Sequence, residues 1–139
     1  MIVADTGAIV ALVDAGDRYH EELRALFEED PGAWILPWAI LPEVDHLLLR
    51  HVGASAGRAF LRDLAEGAFS VEWGEEADLA RARALCERYT ALELGLVDGV
   101  VIAVAERLRA PAIATLDLRD FGAVSIVGAP RLLPRDRSP

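Results

Sequence analysis

The sequence predicts an α/β domain, with a mostly parallel sheet covered by helices on both faces. Three observations lead to it. Short apolar runs such as Ile2–Ala4 and Ala112–Leu116 alternate with longer stretches of helical periodicity. Alternation of this kind builds βαβ units, whose crossover helices cover a parallel sheet. The 139 residues, 53% of them hydrophobic, suffice for one sizeable core, and neither repeats nor interior linkers divide them.

Taken in order, Ile2–Ala4 reads as a short buried strand and Gly7–Asp14 as the start of a helix. Tyr19–Glu29 has helical spacing, with Leu23, Leu26 and Phe27 on one side, and Asp30-Pro31-Gly32 marks a turn. Ala33–Leu36 is a second strand. Pro42 suits the first turn of a helix that runs to about His51; Gly53 stops it and Ser55 begins another. Phe69–Trp73 is a third strand. Glu75–Thr90 is a long helix with Leu79, Ala82, Leu85, Cys86 and Tyr89 at helical spacing. Leu96–Arg109 is the next helix, and Ala112–Leu116 and Val124–Val127 are the last two strands. From Gly128 the chain holds three prolines and three arginines and reads as an extended arm or frayed end.

Composition removes several functions. The mean hydropathy is +0.27, yet no apolar run approaches the ~18–20 residues of a membrane span. Asp5 interrupts any secretory h-region, so a cytoplasmic, membrane-free protein is expected. A lone Cys86 excludes an internal disulfide framework, and no Cys/His cluster suggests zinc. All fourteen basic residues are arginine, which rules out mechanisms that need a lysine. The absence of Lys, Asn and Gln fits a heat-adapted source and fits GC-rich coding as well. A net charge of −9 argues against a simple phosphate-binding surface, so a nucleic-acid ligand would need positive charge from elsewhere.

In a parallel sheet, strand C-termini and the N-termini of the helices that cross back share one edge, here termed the rim. Asp5 and Asp117 follow strands, while Glu43 and Asp98 fall in first helical turns, so all four acids reach the rim. Their separations of 38, 55 and 19 residues follow no local rule. Each has an ordinary local reading. Glu43 and Asp98 suit the helix dipole, Asp5 suits a helix cap, and Asp117 suits a turn. Together, however, crowded carboxylates repel and raise each other's pKa unless a cation compensates, and no lysine is present to do so. Hard divalent ions with oxygen ligands would. Such ions acidify water and stabilise a leaving oxygen, which suits phosphodiester hydrolysis. Two Mg²⁺ ions would also offset the four carboxylates where an anionic substrate docks.

The segments IVADTGAIVALVD, LPEVDHLLLR, LGLVDGVVIAVAERL and AIATLDLRDFGAVSIV resemble, in order and spacing, the four acidic motifs of PIN-domain ribonucleases, in particular the VapC toxins of type II toxin–antitoxin pairs. The resemblance implies a three-layer α/β/α sandwich with about five mostly parallel strands over residues 1–127, leaving 128–139 as a Pro/Arg-containing tail. It further implies Mg²⁺- or Mn²⁺-dependent endoribonuclease action with one or two ions, a homodimer, and an antitoxin partner. Asp5, Glu43, Asp98 and Asp117 match the metal-site acids of the family, with Asp5 and Asp98 matching those nearest the metal. Thr6 and Thr115 match supporting hydroxyls, and Asp120 matches a further acid that shares or exchanges the role of Asp117.

Arg50, Arg58 and Arg62 lie on adjacent predicted helices, where they could grip RNA phosphates or serve as solvated helix faces. Trp34, Trp38 and Trp73 could stack bases but suit core or interface packing better. Glu43 and His46 form a single E-x-x-H, half of what a di-iron bundle requires, in a chain that is not all-helical. His20 and His51 read as surface residues and Cys86 as core. Two rivals remain: a non-catalytic interaction module of the same fold, and a Mg²⁺-dependent small-molecule phosphatase. The second is disfavoured because no D-x-D nucleophile and no lysine are present.

Overall fold

A computed structural model describes residues 1–138. Five parallel strands, β1 (Ile2–Ala4), β2 (Trp34–Pro37), β3 (Ser70–Glu72), β4 (Ala112–Ala114) and β5 (Arg131–Leu133), form one sheet in the order β3-β2-β1-β4-β5. The helices are α1 (Thr6–Val13), α2 (His20–Glu29), α3 (Leu41–His51), α4 (Ala54–Ala65), α5 (Glu76–Arg88), α6 (Leu96–Arg107) and α7 (Leu118–Ala123).

The strand order reverses direction after β3. Right-handed crossovers therefore put α1–α4 on one face and α5–α7 on the other. The packing agrees: α1 meets α2 and α3, α3 meets α4, α5 meets α6, and α6 lies on β1 and β2. The core runs through both faces, with Val3, Ile9, Leu36, Ile102 and Ile113 completely buried. α6 is apolar nearly all round, with every residue from Gly99 to Ala105 buried, because it lies between the sheet and α5. Trp34 is buried edge-on to Phe27, whereas Trp73 stands 74% exposed just beyond β3.

Two expectations fail at the C-terminal end. Val124–Val127 is not a strand. The Ser125 N–H donates to the Tyr89 hydroxyl and the Val127 N–H to a Glu106 carboxylate oxygen, so side chains of the α5–α6 layer hold this segment. The chain then turns through Gly128 and Ala129, both at positive φ, and lays Arg131–Leu133 beside β4. The predicted arm thus supplies the fifth strand, with Leu132 and Leu133 buried; Pro139 lies outside the described residues. Sequence reasoning also missed α7. Leu79 and Cys86, expected inside, are exposed and half-buried respectively, since α5 contributes only a narrow stripe around Ala82 and Leu85.

Candidate active site

Adjacent β1 and β4 are the point at which the sheet reverses direction. In open α/β sheets the crevice outside the strand ends at such a point is where ligands bind. Asp5 leaves β1 there and Thr115 leaves β4. The Asp5 N–H donates to the Ala114 carbonyl, continuing the ladder to the rim.

Asp5 is only 6% exposed. It caps α1, with Oδ1 accepting from the Thr6 N–H at 2.8 Å, while Oδ2 accepts from the Thr115 hydroxyl at 3.1 Å. The same hydroxyl oxygen accepts from the Asp117 N–H at 3.0 Å, so Thr115 ties two acids of the site together. Asp117 caps α7 through the Asp120 N–H at 3.1 Å. Asp98 begins α6 and accepts from the Gly95 N–H at 3.3 Å; the Cys86 thiol reaches the Gly95 carbonyl at 3.6 Å and steadies that loop. Glu43 stands exposed in the first turn of α3. Thr6 contributes its backbone N–H, and its buried hydroxyl has no hydrogen-bond partner among the described residues.

The acids feel one another. Burial, aided by Asp98 and Asp117, pushes Asp5 up to about 7, against the opposing hydrogen bonds from Thr6 and Thr115. Burial also raises Asp98, with Asp117, Asp120 and Glu43 adding repulsion, and Asp120 is raised by desolvation and by Asp117. Asp98 is the centre of this group, since it feels Glu43, Asp117 and Asp120 and itself acts on Asp5. Glu93 joins them as a neighbour of Asp120 that the sequence reading missed. Among the described residues none of these acids takes part in an ion pair.

A buried carboxylate facing other carboxylates, satisfied only by neutral donors, fits a hard divalent cation. Among the described residues no three acid, histidine or cysteine side chains converge closely enough to enclose one ion. That spacing still suits Mg²⁺, which takes one or two carboxylates directly and keeps several waters.

The three arginines are exposed and outside any ion pair among the described residues. Arg50 lies about 10 Å along α3 from Glu43 at 1.5 Å per residue. Arg58 and Arg62 follow on α4, which packs back on α3 where Gly57 meets Leu49. The structure thus brings the acids to one rim at open spacing and leaves the arginines on a neighbouring helical pair.

The family model for the PIN domain matches residues 2–126. The chain belongs to the PIN-domain family. Among PIN relatives, Ribonuclease VapC26 of Mycobacterium tuberculosis is 29% identical over 130 residues, covering 94% of this chain and 96% of that protein. The crystal structure of VapC20 from the same organism, described as a Sarcin-Ricin loop cleaving toxin, superposes with a TM-score of 0.81 at 25% identity, covering 94% of this chain and 99% of that one. A toxin-antitoxin complex from Klebsiella pneumoniae shares the PIN fold, with a TM-score of 0.69 and 20% identity over 90% of this chain and 93% of that one. No helix among the described residues is long and apolar enough to cross a membrane.

Proposed function

We propose that this chain is a divalent-metal-dependent endoribonuclease and the toxin of a toxin–antitoxin pair, acting in the cytoplasm as a homodimer. The observation that carries this reading is the buried Asp5, facing Asp98 and Asp117 at the sheet's reversal point with no basic side chain paired to it among the described residues. The near full-length similarity to a protein named a ribonuclease supports the substrate class. The description of VapC20 as a toxin supports a cognate antitoxin.

Asp5 and Asp98 would hold Mg²⁺ or Mn²⁺, with Glu43 and Asp117 as the further acids and Asp120 able to share the role of Asp117. A cation bound there supplies Lewis acidity toward water and positive charge beside the scissile phosphate. Thr115 orients Asp5 by donating to Oδ2 and fixes the backbone of Asp117. Thr6 holds the other Asp5 oxygen through its N–H. Arg50, Arg58 and Arg62 offer guanidinium groups to flanking phosphates. Hydrolysis would leave a 5′-phosphate and a 3′-hydroxyl, and no protein nucleophile is required.

RNA cleavage by the purified protein should require Mg²⁺ or Mn²⁺ and stop with EDTA. Asp5→Asn and Asp98→Asn should abolish it. Thr115→Val should lose roughly 10–100-fold, the usual cost of removing a supporting partner. Cleavage without metal, or full activity in both Asn variants, overturns the reading. The open spacing of the acids favours a second reading, a non-catalytic interaction module of the same fold. Titration with Mn²⁺ separates the two, since a module shows no binding that depends on Asp5 and Asp98.

A further inference from the structure

A cavity of about 220 Å³ opens against Thr115, the residue that links Asp5 to Asp117. Its walls come from three separate parts of the chain. Tyr19 and Glu22 arrive from the start of α2, Leu116 and Leu118 from the β4–α7 connection, and Pro134 and Arg135 from the segment after β5. A larger hollow of about 450 Å³ lies at the opposite edge, beside Ile2 and Arg131 where strands begin, away from the acids.

The loop carrying Tyr19 is built rather than slack. The Gly16 N–H donates to Asp14 at 3.0 Å and the Tyr19 N–H to Asp17 at 2.8 Å, while His20 Nδ1 lies 3.0 Å from the Ala11 carbonyl oxygen. The Arg18 guanidinium lies 4.6 Å over the Tyr19 ring and donates to its hydroxyl at 2.6 Å. On the facing wall Leu118 is 39% exposed although it directly follows Asp117. A half-buried aromatic ring, leucines and a proline, with a carboxylate and a guanidinium also in the lining, make a surface suited to one flat heterocycle. Bases of single-stranded RNA bind in this way, stacking on rings and offering their edges to polar groups.

Resting on the ribonuclease reading above, we infer that this cavity is a nucleobase subsite, holding the base of the nucleotide next to the scissile phosphate, with Tyr19 as its stacking platform and Glu22 reading N–H donors on the base edge. A carboxylate accepts from the exocyclic amino groups of cytosine, adenine or guanine, whereas uracil has no amino group and offers only its N3–H between two repelling carbonyl oxygens. The C-terminal segment thereby takes part in substrate selection through Pro134 and Arg135.

The test combines binding and cleavage. Fluorescence anisotropy with a labelled single-stranded RNA on the non-cleaving Asp5→Asn background measures binding, and cleavage of a randomised RNA library by the otherwise unmodified protein measures base preference. Tyr19→Ala and Leu118→Ala should each weaken RNA binding about tenfold, within the range found for loss of one stacked base, and Tyr19→Phe should restore it. Glu22→Gln, a change at an exposed position, should alter the preferred base beside the cut. Should Tyr19→Ala fail to fold, Leu118→Ala and Glu22→Gln decide. Folded variants with unchanged RNA affinity and unchanged base preference overturn the inference, including the case in which the cavity takes a peptide instead. Absence of any cleavage by the unmodified protein counts against the ribonuclease reading, while the anisotropy series still judges the subsite.

Discussion

At residue 5 one carboxylate caps a helix and also faces Asp98 and Asp117. The two readings open from the sequence are therefore compatible, and Asp117 repeats the pattern at α7. The consequence for stability has a definite sign. Asp5 titrates near 7 in the folded protein instead of 3.8, so between those values the folded state keeps a proton that the unfolded chain has released. Stability attributable to Asp5 is therefore full below about pH 4 and falls as pH rises toward 7. With EDTA present, Asp5→Asn should melt at a higher temperature than the parent at pH 8, and the gap should close below pH 4. Added Mg²⁺ should raise the parent's melting temperature at neutral pH and leave the variant unmoved. Calorimetry across pH, with and without chelator, checks both. The positions of the acids were legible because strand ends and helix starts carry local signals. The hydroxyl that joins two of them was matched only by resemblance, since Thr115 is 110 residues from Asp5 and no local pattern links them.

At the scale of elements, α5 and α6 meet where Gly99 follows Asp98. A Cβ at Gly99 would lie 2.8 Å from that of Ala82 and 3.0 Å from its Cα, closer than atoms can sit. Glycine interior to a helix otherwise costs about 1 kcal/mol relative to alanine. Gly99→Ala should nonetheless destabilise the protein by about 1–3 kcal/mol through overpacking, and should lower activity by displacing the first turn of α6. Urea unfolding and cleavage rates test the two effects. The other end of α6 is held by Arg107, which bonds bidentately to buried Asp78 of α5 and also reaches Glu72 of β3. Arg107 holds Asp78 below the usual carboxylate range, so this clamp, unlike Asp5, loosens on acidification. Most elements were legible from periodicity. The last strand was not, because Val124–Val127 is as apolar as a strand yet gives its N–H groups to Tyr89 and Glu106.

For the whole molecule, the segment after residue 127 closes the sheet. A chain ending at Val127 loses β5, the burial of Leu132 and Leu133, and the partner of β4's outer edge. Burial of one leucine is worth about 1.5–3 kcal/mol, so this truncation should cost more than about 3 kcal/mol and abolish a cooperative melt by circular dichroism. Retention of the parent's melting temperature would show that β5 is dispensable. By itself, the sequence determined the α/β class, the order of most elements and the arrival of four acids at one edge, because backbone sterics write helix and strand periods into every local window. Only the tertiary structure decided that β1 and β4 are neighbours at a reversal point, that Thr115 bonds Asp5, and that the tail builds both β5 and a cavity beside the acids. Those features depend on pairing between segments far apart in the chain, whose geometry is set by closing one core and leaves no trace in local spacing.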